Sequence, residues 1–182
     1  MKITLGGIAK GYAVDQAIAA LRQRGIKRAI VDAGGDLYAL GRPPKRNFWE
    51  IGIQNPRKKG GLMGTIKVRD EAVVTSGQYE RFFILGGKRY GQILNPRTGE
   101  PVMEGTLSVT VLAKDTMTAD GLATAIFVLG PKKGLDLAEH LKGVEAIIVT
   151  KGNKGKMVTL TTEGLKGRLT LNQSLTVREG TK

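Results

Sequence analysis

The chemistry-bearing residues of this 182-residue chain fall into a few short clusters. The first is Gly6-Gly7-Ile8-Ala9-Lys10-Gly11, which leads into an amphipathic stretch. Glycine lets a backbone turn tightly and approach a ligand. A helix start adds free N–H groups and the positive end of the dipole. With Lys10 as counter-charge, such a loop suits a phosphate. It is not a Walker A loop, because Gly11 rather than Ser or Thr follows Lys10, nor is it the dinucleotide fingerprint. A tight turn with a solvated lysine fits the same pattern. The second cluster, Ala33-Gly34-Gly35-Asp36, is a backbone break with one carboxylate. A simple bulge or turn and a close approach to a ligand are both open. The third is Asp120 and Thr124. Four residues apart on a helix, they share a face one turn from each other. Without further information that is a local surface pair.

Composition narrows the classes. Lys and Arg number 29 against 16 Asp and Glu, a net charge of +13. This favours acidic partners: nucleic acid, an anionic membrane or a phosphorylated cofactor. Nucleic acid lacks its usual companions, since aromatic residues are 5% and no nucleic-acid motif appears. No cysteine is present, which excludes disulfides, thiolate metal sites and a Cys nucleophile in this chain. No apolar run approaches the ~20 residues of a membrane-spanning helix. Met1-Lys2-Ile3-Thr4-Leu5 shows no signal-peptide pattern.

The elements that position these residues follow from periodicity. A helix is predicted over 11–24, closed by Gly25, with Val14, Ala17, Ile18 and Leu21 facing the core. Residues 28–33 read as a buried strand, resuming at 37–40 after the glycine break. Residues 48–54 alternate, with Trp49, Ile51 and Ile53 on one face. Residues 62–68 and 72–74 follow. Residues 82–85 and 88–94 pair through Gly86-Gly87, and 95–99 is turn chemistry. A strand over 107–113 precedes a helix over 117–129, whose apolar face is predicted to be Leu122, Ala125, Ile126 and Leu129. A third helix spans 132–141 and carries the lone histidine, His140, at its end. Short strands over 144–150, 157–161 and 169–171 precede a polar tail from Ser174 that is expected to fray. Three helices among about ten hairpin-linked strands predict an α+β fold with a largely antiparallel sheet. A single domain over 1–182 is expected.

Read in order, five motifs line up: Gly6-Gly7-Ile8-Ala9-Lys10-Gly11-Tyr12-Ala13-Val14-Asp15; Ala33-Gly34-Gly35-Asp36; Thr75-Ser76-Gly77-Gln78-Tyr79-Glu80-Arg81; Tyr90-Gly91-Gln92-Ile93-Leu94-Asn95-Pro96-Arg97-Thr98-Gly99; and Ala119-Asp120-Gly121-Leu122-Ala123-Thr124-Ala125. The set resembles the ApbE family, the FAD:protein FMN transferases, whose domain is related to the T-fold. The resemblance implies cleavage of FAD with Mg²⁺, transfer of FMN to a threonine of a partner protein and release of AMP. The partners are typically flavin-carrying subunits of membrane redox complexes. It further implies a metal site from Asp120, Thr124 and the backbone oxygen of Ala9, hard oxygen ligands suited to Mg²⁺. Cofactor contacts are implied at Gly7, Ala9, Lys10, Gly35, Asp36, Ser76, Gly77, Tyr79 and Asn95, with Lys10 also a catalytic candidate.

Two features depart from the family pattern. Gln92 stands where the family carries a histidine implicated in catalysis, and Asn95 where it carries an aspartate. Gln92 hydrogen-bonds but takes no proton at neutral pH. A binding module that holds FAD without transferring it is therefore the alternative. The family's long segment before the glycine motif is also missing, so the chain resembles the C-terminal part of such a protein. Pairing with that segment, or dimerisation, is expected to cover exposed core. Family members are usually exported and often lipid-anchored, which implies an extracytoplasmic or membrane-associated location.

Overall fold

The computed structural model describes residues 4–78, 82–102, 105–172 and 176–179. Among these lie three α-helices and twelve strands, with two short 3₁₀ turns. The order is α1 (Ala9–Gln23), β1 (Ala29–Asp32), β2 (Asp36–Leu40), β3 (Trp49–Gln54), β4 (Leu62–Val68), β5 (Glu71–Gly77), β6 (Phe82–Leu85), β7 (Lys88–Gly91) and β8 (Thr106–Ala113). Then come α2 (Thr116–Leu129), α3 (Pro131–His140), β9 (Glu145–Lys151), β10 (Met157–Thr161), β11 (Leu169–Leu171) and β12 (Thr176–Glu179).

The main sheet has seven strands in the order β1-β2-β5-β8-β9-β10-β12. Its pairs are antiparallel except β10 with β12. A second sheet orders β11-β4-β3, and β6–β7 form a separate ribbon. The architecture is the α+β, mainly antiparallel arrangement that the sequence predicts.

Strand side chains alternate between faces, and here both faces of the main sheet are covered. Val74, Val111 and Ile148 pack with Val14, Ile18 and Phe127 of the helices. Their chain neighbours Val73, Leu112 and Ile147 pack instead with Ile53, Met63 and Ile66 of the second sheet. Helices, main sheet and small sheet thus form three layers. Double coverage explains why β5, β8 and β9 are buried along most of their length.

Several predicted details change. β1 is an edge strand, half exposed along its length, not a buried one. β5 is one strand through Gly77. The buried face of α2 is Thr116, Ala119, Asp120, Ala123, Ile126 and Phe127, whereas Leu129 is exposed. Residues 176–179 of the tail form β12. Among the described residues, no helix is long and apolar enough to cross a membrane.

Candidate active site

The glycine turn delivers the chain directly into α1. The N–H groups of Ile8 and Ala9 both donate to the Leu5 carbonyl, at 3.0 and 2.9 Å. The helix then runs against α2 in the opposite sense, and the contacts repeat every four residues. Asp15 meets the start of α2: its Oδ1 accepts from Thr116 N–H at 2.8 Å and its Oδ2 from Met117 N–H at 2.9 Å. One turn back, Gly11 N–H donates to Asp120 Oδ2 at 3.1 Å. In the turn ahead of α1, a Cβ on Gly7 would stand 3.9 Å from Thr124 Oγ1. The helices touch at Gly11, where a Cβ would lie 2.5 Å from the Thr116 carbonyl oxygen. Only glycine permits that approach.

The sheet supplies the remaining groups. Ser76, near the end of β5, brings its Oγ to 3.4 Å from Thr124 Oγ1. Asp36, first residue of β2, is 1% exposed. Its Oδ1 pairs with Lys10 Nζ at 2.9 Å, while its Oδ2 is buried without a hydrogen-bond partner. Lys10, expected as counter-charge to a phosphate, therefore has a fixed internal partner, yet its side chain stays 43% exposed.

Positive charge is scarce around the two aspartates. Burial raises the Asp36 pKa, against the hydrogen bond and charge of Lys10; the charges of Asp120 and Asp32 push it the same way as burial. Burial likewise raises Asp120, against the Gly11 N–H and the Lys10 charge. A buried carboxylate prefers neutrality unless a cation joins it. The orphaned Asp36 Oδ2, the buried Asp120 carboxylate and the Thr124 hydroxyl are hard oxygen donors in one neighbourhood. Among the described residues no group of three or more acidic, His or Cys side chains forms a closed metal cage. The residues present nevertheless fit Mg²⁺, which keeps several waters and uses one or two carboxylates plus substrate phosphates.

The other predicted residues have varied settings. Gly35, at φ 94°, donates its N–H to Asp32 Oδ1 at 2.8 Å, so Asp32 is engaged in the turn that presents Asp36. Ala9 opens α1. Gly77 is buried at the end of β5, beside Ser108 of β8. Asn95 accepts the Arg97 N–H on its Oδ1 at 2.9 Å and so builds its own turn. Gln92 is exposed just beyond β7. No hydrogen bond or ion pair among the described residues joins Gln92 or Asn95 to the Lys10–Asp36–Asp120 neighbourhood. Tyr79 lies outside the described residues. Tyr90 stacks on Phe83 with ring centres 5.2 Å apart, ordinary packing within the ribbon. His140 is an exposed helix-end residue whose Nδ1 lies 2.8 Å from the Asp136 carbonyl oxygen.

The sequence placed Gly11 in a loop suited to a ligand rather than at a helix contact, and assigned Asp15 no role. The available signal was a glycine inside a helix, where it costs about 1 kcal/mol relative to alanine and so marks a close approach.

Comparison with known proteins supplies a context for this geometry. The model of the ApbE family matches residues 1–148. An FAD:protein FMN transferase from Klebsiella pneumoniae is 38% identical over 152 residues, covering 83% of this chain and 46% of that protein. One from Treponema pallidum is 39% identical over 158 residues, covering 82% and 44%. Among solved structures, the ApbE protein of Thermotoga maritima superposes with a TM-score of 0.77 at 40% identity, covering 86% of this chain and 50% of that one. A histidine-to-glycine mutant of the flavin transferase ApbE from Vibrio cholerae gives a TM-score of 0.78 at 34% identity, covering 91% and 52%. The chain thus spans about half the length of the relatives it matches.

Proposed function

The chain belongs to the ApbE family, and from that premise we propose that it serves Mg²⁺-dependent FAD:protein FMN transfer. In this reaction a threonine hydroxyl of a partner flavoprotein attacks the FMN phosphorus. The bond from that phosphorus to the bridging oxygen breaks, AMP leaves, and the threonine proton is lost. The observation that supports this reading is the convergence of Asp120 and Thr124 with the glycine turn and the Lys10–Asp36 pair. Asp120, Thr124 and the Ala9 carbonyl are the residues that would hold Mg²⁺. When bound, Mg²⁺ supplies positive charge to the pyrophosphate as its bond breaks.

The chain's own groups do the rest. Lys10 offers an ammonium to phosphate oxygens, and buried Asp36 keeps that ammonium from swinging freely. At Gly7 and Gly34, where an added Cβ would meet nothing closer than 3.9 Å, the backbone is open to an approaching anion. Cofactor contacts at Gly7, Ala9, Gly35, Ser76, Gly77, Tyr79 and Asn95 belong to the same proposal, as do threonine-bearing subunits of membrane redox complexes as acceptors and an extracytoplasmic location. Gln92 accepts no proton at neutral pH, so removal of the threonine proton is not assigned to it. That glutamine favours a second reading, a flavin-binding module without transfer.

Titration with FAD, with and without Mg²⁺, following flavin fluorescence and AMP release, tests the proposal. Mg²⁺-dependent binding that disappears in Asp120→Ala, with AMP release on adding a threonine-bearing acceptor, is the expected result. Binding without AMP release would move the conclusion to the module. Binding indifferent to Mg²⁺ and to Asp120→Ala would overturn the cation site.

A further inference from the structure

We infer that Asp15 is a positioning residue for the cation-holding pair Asp120 and Thr124. It sets the register of α2 on α1 from the end of the contact furthest from Thr124. The inference rests on the proposed cation site.

The two antiparallel helices meet in two rungs four residues apart, Asp15 with Thr116 and Met117 and Gly11 with Asp120, and the turn ahead of α1 adds a third, Gly7 beside Thr124. Only the last two rungs belong to the site. Their bonds are few: one N–H to Asp120 at 3.1 Å and an ordinary contact at Gly7. The first rung is stronger, because both Asp15 oxygens are engaged, at 2.8 and 2.9 Å, by N–H groups of the opening turn of α2. Those N–H groups have no partner within their own helix, and the dipole there favours a negative charge. Thr118 N–H is capped at 2.8 Å from within the same segment, by Asp115.

Two carboxylates therefore cap one helix end, with different consequences. Asp115 stabilises α2 alone. Asp15 ties α2 to α1, and the tie resists both sliding and rotation because it has two points. Fixing the first rung fixes the second, one helical turn further along the same faces, and the second holds the start of α1, from which the turn brings Gly7 beside Thr124. Residues that orient metal ligands from outside the ligand set commonly change metal affinity by about 10–100-fold when removed.

The test compares Asp15→Ala, Asp15→Asn, Asp115→Ala and Asp120→Ala in the full chain. The readouts are Mg²⁺ affinity by calorimetry, thermal midpoint, and hydrogen exchange at the Gly11 amide that bonds Asp120. Asp15→Ala is expected to weaken Mg²⁺ about tenfold and to speed exchange at Gly11. Asp15→Asn, which keeps one acceptor oxygen, should fall between it and the parent. Asp115→Ala should lower the midpoint while leaving Mg²⁺ affinity and Gly11 exchange at parental values. If Asp15→Ala matches Asp115→Ala in both readouts, Asp15 is only a helix cap and the inference fails. If the parent binds no Mg²⁺, or Asp120→Ala binds it equally well, the cation site itself falls. The Gly11 amide still distinguishes that outcome: faster exchange in Asp15→Ala retains the register role, and unchanged exchange removes it.

Discussion

Asp36 and Asp120 sit in a neighbourhood with one ammonium for two carboxylates, and burial raises the pKa of each. The sign of the pH dependence follows. A carboxylate whose folded pKa is raised binds more protons in the native than in the unfolded state. Its contribution to stability is fully present below the unfolded value and is lost as pH rises through the folded one. At neutral pH without a bound cation, the Asp120 charge therefore opposes folding. Asp120→Asn keeps an oxygen for the Gly11 N–H and removes the charge. The variant should melt higher than its parent at pH 7 without Mg²⁺, by about 2–4 °C for each kcal/mol recovered. The difference should shrink on acidification toward the ordinary carboxylate range. Added Mg²⁺ should raise the midpoint of the parent and leave the variant unchanged. A gap that widens on acidification would contradict the assignment. At this scale the Asp120–Thr124 pair was legible, because helical spacing alone puts both on one face. The Lys10–Asp36 pair was not, because it joins two glycine clusters through the packing of α1 on β2.

Among the elements, α1 and α2 decide the site, and their contact depends on what is absent from Gly11. In an exposed helix, Gly→Ala stabilises by roughly 1 kcal/mol. Here a Cβ would lie 2.5 Å from the Thr116 carbonyl oxygen, a backbone atom. Gly11→Ala must push the helices apart, and such overpacking costs roughly 1–3 kcal/mol. A lower denaturant midpoint together with weaker Mg²⁺ binding is expected; a raised midpoint would show that the helices are not held this closely. The same close contact explains why part of the buried face of α2 was misread. Apolar periodicity favours large side chains: Ile126 and Leu122, which it selected, do pack in the core, but it also selected Leu129. The helix instead turns Ala119 and Ala123, both 0% exposed, inward where room is least and carries Asp120 with them. Leu129 is left 45% exposed. β12 escaped notice for a different reason. It pairs in parallel with β10, and a short polar strand gains that pairing from its neighbour rather than from its own pattern.

At the scale of the whole molecule, alternation and glycine turns were enough to read an antiparallel α+β chain, since both are local signals. The strand order was not readable. β2 passes over β3 and β4 to pair with β5, and those two strands form part of the opposite layer. That choice depends on long-range burial, not on any single segment. The layering separates stability from function in a testable way. Ile66 is 0% exposed in the core between the two sheets, whereas Ala123 is 0% exposed between α2 and the main sheet. Ile66→Val removes one methylene on the far side of the main sheet and should cost about 0.5–1.5 kcal/mol. Ala123→Val adds bulk beneath α2 and should cost about 1–3 kcal/mol. Both variants should unfold at lower denaturant, but only Ala123→Val should lower Mg²⁺ affinity under native conditions, because it alone displaces the helix carrying Asp120 and Thr124. Equal loss of affinity in both would mean that the site senses global stability. No loss in either would mean that α2 shifts without disturbing its ligands, and that the register with α1 alone governs the site.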